Sequence, residues 1–165
     1  MLNVEIKILS VNQVEDFRTI RLSALKKSPK TFGSTYAAEV EKPLKFFEAR
    51  LSNSTIFGAY YKDEIIGLAV LTQESGIKDS HKAFLTSVFI EPEFHQKGVA
   101  RRLISEVIEF SKKHVEQILL TVTNDNKPAI HLYKKLGFQI YGVDEKALKD
   151  NDEYIDEILM KIFLV

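Results

Sequence analysis

From Leu2 to Leu9 apolar residues alternate with polar ones, Leu2, Val4, Ile6 and Ile8 against Asn3, Glu5 and Lys7. A period of two predicts a half-buried strand that opens a sheet. The period then lengthens. Asn12 offers an N-cap for a helix through about Lys27, with Val14, Phe17, Ile20, Arg21, Ala24 and Leu25 along one side, and Ser28-Pro29 stops it. Small and polar residues fill Lys30 to Tyr36, and Leu44 to Leu51 predicts a second helix that turns Phe46, Phe47 and Leu51 toward a core. Ile56 to Tyr61 and Glu64 to Leu71 are β-rich runs joined around Lys62-Asp63, the pattern of a hairpin. Thr72 to Lys82 is polar and reads as a loop.

The stretch Leu85 to Ile108 carries a strand, a tight loop and an amphipathic helix without a gap. Leu85, Val88, Phe89 and Ile90 form the apolar run, and Glu91-Pro92 ends it because proline cannot donate to a ladder. From Ala100, the residues Ala100, Leu103, Ile104, Val107 and Ile108 follow the spacing of a helix with one buried face. Gln117 to Val122 reads as a further strand. Asn126 ahead of Lys127-Pro128 marks a helix start, Ala129, Leu132, Tyr133 and Leu136 its buried face, and Gly137 its end. Phe138 to Gly142 and Tyr154 to Val165 read as strands separated by the charged stretch Asp144 to Asp152. Mixed strands and helices with hairpins at both ends predict an α+β fold.

Composition narrows the partners. The 165 residues fit one domain, 1–165, and 45% hydrophobic with 28% charged residues is ordinary for a globular protein. Twenty-three basic residues balance 23 acidic ones, and no run of like charge suggests a nucleic-acid arm or a polybasic membrane segment. No cysteine is present, and the four histidines lack metal spacing, so neither a disulfide framework nor a metal site is expected. MLNVEIKILS is too short and too charged for a signal peptide, and nowhere do about 18 apolar residues run together. The expected compartment is the cytoplasm.

Between the strand and the helix of the central stretch lies His95-Gln96-Lys97-Gly98-Val99-Ala100, followed by Arg101. Gly98 and Ala100 leave the backbone bare for close approach of a ligand. The first amides of a helix have no intrahelical acceptor, and the macrodipole adds roughly half a positive charge, so the loop suits a pyrophosphate. Lys97 and Arg101 add to it. Spacing alone equally allows a plain turn at Gly98 with solvated basic residues around it.

The same residues resemble motif A of the GCN5-related N-acetyltransferases, Gln or Arg, two residues, Gly, one residue, then Gly or Ala. Gly98 and Ala100 match, and His95 stands where the family usually has Gln or Arg. Asn126 through Phe138 is similar to the family's N-x-x-A-x-x-x-Y-x-K-x-G-F block, and Arg18 to Leu25, Ser28-Pro29, Phe32-Gly33-Ser34 and Glu39 are similar to a broad group of bacterial members. The resemblance implies a mixed, mostly antiparallel central sheet flanked by helices and splayed between its fourth and fifth strands. It also implies acetyl-CoA as acetyl donor, with its pantetheine arm in the opening. On that model the backbone of Val88, Phe89 and Ile90 lies along the pantetheine, and the Val88 amide stabilises oxyanion charge. The loop from His95, Gln96, Lys97, Gly98, Val99 and Ala100 to Arg101 holds the pyrophosphate. Asn126 reaches a pantetheine amide; its alternative is a plain N-cap.

Attack of a neutral amine on a thioester requires one proton to leave the amine and another to reach the thiolate. The resemblance gives the second task to Tyr133, whose alternative is an aromatic on a buried helix face. The base is less visible, because the position of the family's strand glutamate holds Phe84 and no carboxylate lies within Phe84 to Ile90. Glu39 is a candidate base or amine anchor, set against a solvated helix charge. His81 reads as a loop residue, and a water chain also serves as base. The expected activity is direct transfer of acetyl in a ternary complex to a primary amine of a small or amino-acid-like acceptor, by a monomer or homodimer without metal. The alternatives are a protein or peptide amino-group acetyltransferase and a non-catalytic acyl-CoA-binding regulatory module.

Overall fold

The computed structural model describes residues 2–164. Seven strands form one mixed sheet in the order β1-β2-β3-β4-β5-β7-β6. They are β1 (Glu5–Ile8), β2 (Thr55–Tyr61), β3 (Glu64–Gln73), β4 (Lys82–Ile90), β5 (Gln117–Thr123), β6 (Gln139–Asp150) and β7 (Glu153–Phe163). β4 and β5 pair in parallel. β1/β2, β2/β3, β5/β7 and β6/β7 are antiparallel. β3 and β4 are antiparallel too, since Glu91 N bonds Ile66 O at one end and Glu74 N bonds Lys82 O at the other. The helices are α1 (Val14–Lys27), α2 (Tyr36–Glu39), α3 (Leu44–Asn53), α4 (Val99–Ser111) and α5 (Lys127–Lys135). The fold is the α+β, mostly antiparallel, helix-flanked sheet that the sequence predicts.

The chain divides into two compact units, Met1–Thr72 with Leu85–Val107, and Gln73–Phe84 with Ile108–Val165. In the first unit, Phe17, Ile20 and Leu25 of α1 and Phe47 of α3 pack with Ile56, Leu68 and Val70 of β2 and β3. Phe17 and Phe47 meet edge to face at 5.9 Å, a geometry the ring quadrupoles favour. Lys62 and Asp63 have φ of 49° and 67°, so the predicted hairpin turns through the two left-handed residues that match strand twist. In the second unit, β5 lies beside β7, with Ile118, Leu120 and Met160 in the interior.

Local expectations fail where packing or a partner strand overrides periodicity. Ile8 is 51% exposed and Leu9 takes the buried place, its amide bonded to Ile56 O, so the alternation slips where the edge strand ends. Asn12 does not cap α1. Ser10 turns the chain instead, with Gln13 Oε1 accepting from its amide at 2.7 Å and its hydroxyl at 2.9 Å, and α1 starts at Val14. The charged stretch Asp144 to Asp152 is mostly strand. β6 runs on to Asp150, and Asn151 and Asp152, φ 48° and 68°, make a second tight hairpin. Hydrogen bonding to β7 keeps β6 extended although its charged residues bury nothing, and Asp156 Oδ1 accepts from Lys146 N where the register shifts. On α5 only Tyr133 is buried; Ala129, Leu132 and Leu136 are half-buried. Of the predicted last strand, Val165 lies outside the described residues.

Candidate active site

The loop between β4 and α4 leads into the first turn of that helix. Arg102 N bonds Gly98 O at 3.1 Å, the first bond of α4, so the amides of Val99, Ala100 and Arg101 have no intrahelical acceptor. Gln96 and Gly98 have φ of 61° and 79°, and a Cβ built on Gly98 would meet no atom within 4 Å. The space over that glycine is open, and its backbone needs the freedom only glycine has without strain. Among the described residues, neither Lys97 nor Arg101 forms an ion pair, so both charges are uncommitted at the positive end of the helix. Orphan amides, open space and two free cations fit a pyrophosphate.

His95, which departs from the motif, has a defined task. Its Nε2 donates to Ile90 O at 2.8 Å, tying the loop to the end of β4. Glu91 spends its amide on Ile66 of β3, so strand alternation turns the backbone groups of Val88 and Ile90 to the other edge of β4. Of the pantetheine contacts expected there, the Ile90 carbonyl is therefore already engaged. Phe89 is buried in the core of the first unit.

Glu39 is not a solvated helix charge, and its setting also removes it as a base. It is 3% exposed, and its oxygens accept from Arg21 Nε at 2.9 Å and Nη2 at 2.8 Å, with Arg50 Nη1 3.7 Å away. Burial acts against the carboxylate, but hydrogen bonding from Arg21 and Ser34 and the charges of Arg21 and Arg50 outweigh it and hold the carboxyl below its ordinary value. A committed, weakly basic carboxylate is a structural anion. Glu39→Ala should cost about 3–5 kcal/mol in urea denaturation, because it strands the Arg21 charge. A carboxyl depressed in the folded state lends stability above its unfolded value of about 4.3, lost as pH falls through the lower folded value. The wild-type loss on acidification should shrink in Glu39→Gln.

In the second unit, the end of α5 positions Tyr133. Phe138 N bonds Tyr133 O at 3.0 Å and Gly137 N bonds Lys134 O at 3.1 Å, with φ of 106° at Gly137. This is a Schellman cap, and its hydrophobic clasp is the Tyr133 ring edge-on to Phe138 at 5.6 Å. The clasp explains why tyrosine, glycine and phenylalanine occur together. It leaves the hydroxyl over. Tyr133 is 6% exposed, its hydroxyl bonds no described residue, and burial pushes the phenol upward, so it holds its proton at neutral pH. Asn126 does cap α5, its Oδ1 accepting from Ala129 N at a long 3.4 Å, while its amide nitrogen has no acceptor among the described residues.

Phe84 brings no ionisable group. His81 lies in a turn, with its carbonyl accepting from Glu116 and Gln117. A cleft of about 360 Å³ lined by Asn3, Val4, Glu5, Tyr60, Lys62, Asp63 and Arg102 includes none of the expected site residues. No group of three or more metal-ligating side chains occurs among the described residues. Sequence reading missed Arg21 and Ser87, which bond at 2.8 Å. The available signal was a charged residue, Arg21, on the apolar side of α1.

Comparison with known proteins shows the family. Over 99 residues, 59% of this chain and 60% of the relative, the sequence is 34% identical to the L-amino acid N-acetyltransferase AaaT of Escherichia coli. It is 31% identical over 102 residues, 61% of this chain and 53% of the relative, to the spermidine N(1)-acetyltransferase of Escherichia coli. The matches thus span less than two thirds of either relative. A GNAT-family acetyltransferase from Streptococcus pneumoniae superposes with a TM-score of 0.87 at 20% identity, covering 99% of this chain and 100% of that one. The protein yncA from Salmonella typhimurium, solved with its cofactor acetyl-CoA, gives 0.84 at 18% identity over 99% and 95%. At such identities the structures share the fold. The model of the acetyltransferase (GNAT) family matches residues 20–138, which include the β4–α4 loop and the capped end of α5, and the chain belongs to that family.

Proposed function

We propose that this protein is an acetyl-CoA-dependent N-acetyltransferase that passes acetyl to the primary amine of a small, amino-acid-like acceptor by direct attack in a ternary complex. The observation that carries the reading is the β4–α4 loop, where orphan amides of Val99 to Arg101 stand beside uncommitted Lys97 and Arg101 under open space at Gly98. Gln96, Lys97 and the loop amides bind the pyrophosphate, and the Asn126 amide nitrogen, the Val88 backbone groups and the Ile90 amide bind the pantetheine. The amine nitrogen bonds to the thioester carbon, and the Val88 amide donates to the oxygen as it gains charge. As the carbon–sulfur bond breaks, Tyr133 gives its proton to the thiolate and regains one from solvent. Water takes the ammonium proton, since Glu39 is committed to Arg21. Relatives acting on an L-amino acid and on spermidine support a small amine as acceptor.

The test is acetyl-CoA consumption across a panel of amino acids, polyamines and peptides. Transfer to a small amine is expected, and transfer to peptides alone would move the acceptor to a protein amino group. Acetyl-CoA and free CoA should both stabilise the protein, because most contacts reach pantetheine and pyrophosphate. At about 100 times the dissociation constant the gain is about 2.7 kcal/mol, on the order of 5 to 10 °C in melting temperature. An unchanged melting curve with both ligands would overturn the reading.

A further inference from the structure

A strand residue with a left-handed backbone needs something to hold it there. Ser87, inside β4, has φ of 57°, a region sterically unfavourable for residues other than glycine. The reversal breaks the strand's alternation at Ser87 and Val88, which are both half-buried, and regular alternation resumes from Val88 to Glu91. Ser87 Oγ accepts from Arg21 Nη1 at 2.8 Å. The other two nitrogens of that guanidinium are held by Glu39, and because the group is planar and rigid, fixing Nε and Nη2 also fixes the direction of Nη1. α1 grips the far end of the same segment, where Glu91 accepts from Ser23 Oγ at 2.8 Å and Lys27 Nζ at 2.7 Å. Between the two anchors lies the Val88 amide.

We propose that Arg21 is a positioning residue: through the Ser87 hydroxyl it holds the backbone reversal in β4 and thereby aims the Val88 amide for the transfer step. The kinetic part rests on the acetyltransferase reading; the backbone part rests on the geometry of the first unit alone. Glu39 completes the device by locking the guanidinium, which gives the buried ion pair a task beyond stability.

Two variants at one position separate the possibilities. Ser87→Ala removes the hydroxyl and leaves Arg21 on Glu39, whereas Ser87→Gly also removes it but accepts a positive φ without strain. In ¹⁵N-labelled protein the Val88 and Phe89 amide resonances should move in Ser87→Ala and return toward their wild-type positions in Ser87→Gly. With saturating acetyl-CoA and an amine identified from the panel, kcat should fall about tenfold to a hundredfold in Ser87→Ala, with KM for acetyl-CoA within about twofold. Ser87→Gly should recover most of that loss. Arg21→Lys keeps a charge beside Glu39 without the fork, so it should lose kcat like Ser87→Ala, and adding Ser87→Gly to it should restore turnover. A hydroxyl in contact with substrate would be missed equally in both Ser87 variants. A hydroxyl that only stabilises the fold would lower the melting temperature in both and leave kcat alone. Unmoved Val88 resonances in Ser87→Ala, or a glycine variant as impaired as the alanine one, would overturn the proposal. If the resonances move and return as expected while wild-type protein acetylates nothing in the panel, the backbone device stands and the acetyltransferase reading falls.

Discussion

Gly98→Glu is expected to weaken acetyl-CoA binding by at least a hundredfold in calorimetric titration while leaving the protein folded. The added side chain enters the open space over the loop, where nothing lies within 4 Å of a Cβ, and takes the place proposed for the pyrophosphate. Its charge then faces the ligand's. Like charges forced together cost several kcal/mol, enough for the stated loss. The φ of 79° also penalises any L-residue, by about 1–2 kcal/mol, and Gly98→Ala isolates that contribution. The alanine variant should therefore bind more weakly than wild type but far better than the glutamate one. Normal binding by Gly98→Glu would reduce Gly98 to a turn residue.

Tyr133→Phe should lower kcat by about a hundredfold or more, the range for loss of a general acid, with little change in acetyl-CoA affinity. The ring stays, and with it the clasp on Phe138 that seats the end of α5. Only the hydroxyl is lost, and it bonds no described residue, so its removal strands no partner and costs the fold little. The effect belongs in kcat because the proton matters once charge builds on sulfur. The raised phenol keeps its proton throughout the neutral range, so no activity limb near pH 7 should trace to Tyr133. Full turnover in the variant, with chemistry shown to limit the rate, would make Tyr133 a packing residue and solvent the acid.

Much of this was legible in the residues. The spacing of Ala100, Leu103, Ile104, Val107 and Ile108 predicted the buried face of α4; the last four are buried and Ala100 is half-buried. Lys62-Asp63 turned where the flanking β-rich runs required it. Gly137 ended α5 as predicted, though the clasp that makes Tyr133 and Phe138 part of the same cap is visible only in the folded chain. The stretch Asp144 to Asp152 misled because charge there suggested a loop, whereas an exposed two-stranded arm needs ladder bonds rather than burial.

Residue order alone carries the features governed by neighbours within about one helical turn, namely strand and helix periods, the bare loop at Gly98 and the stop at Gly137. The state of each charge and the backbone reversal in β4 depend on contacts between distant residues. Glu39 looked like a wet helix residue until its partner Arg21, 18 positions away, proved to be buried with it. Ser87 carried no local mark of a left-handed backbone, because the residue that holds it is 66 positions distant. His95 found its role on the Ile90 carbonyl only once β4 and the loop had taken their shape. Periodicity records which face of an element is apolar; it contains no term for which distant polar groups meet, and those meetings decide whether a carboxylate is a base or an anchor and where an amide points.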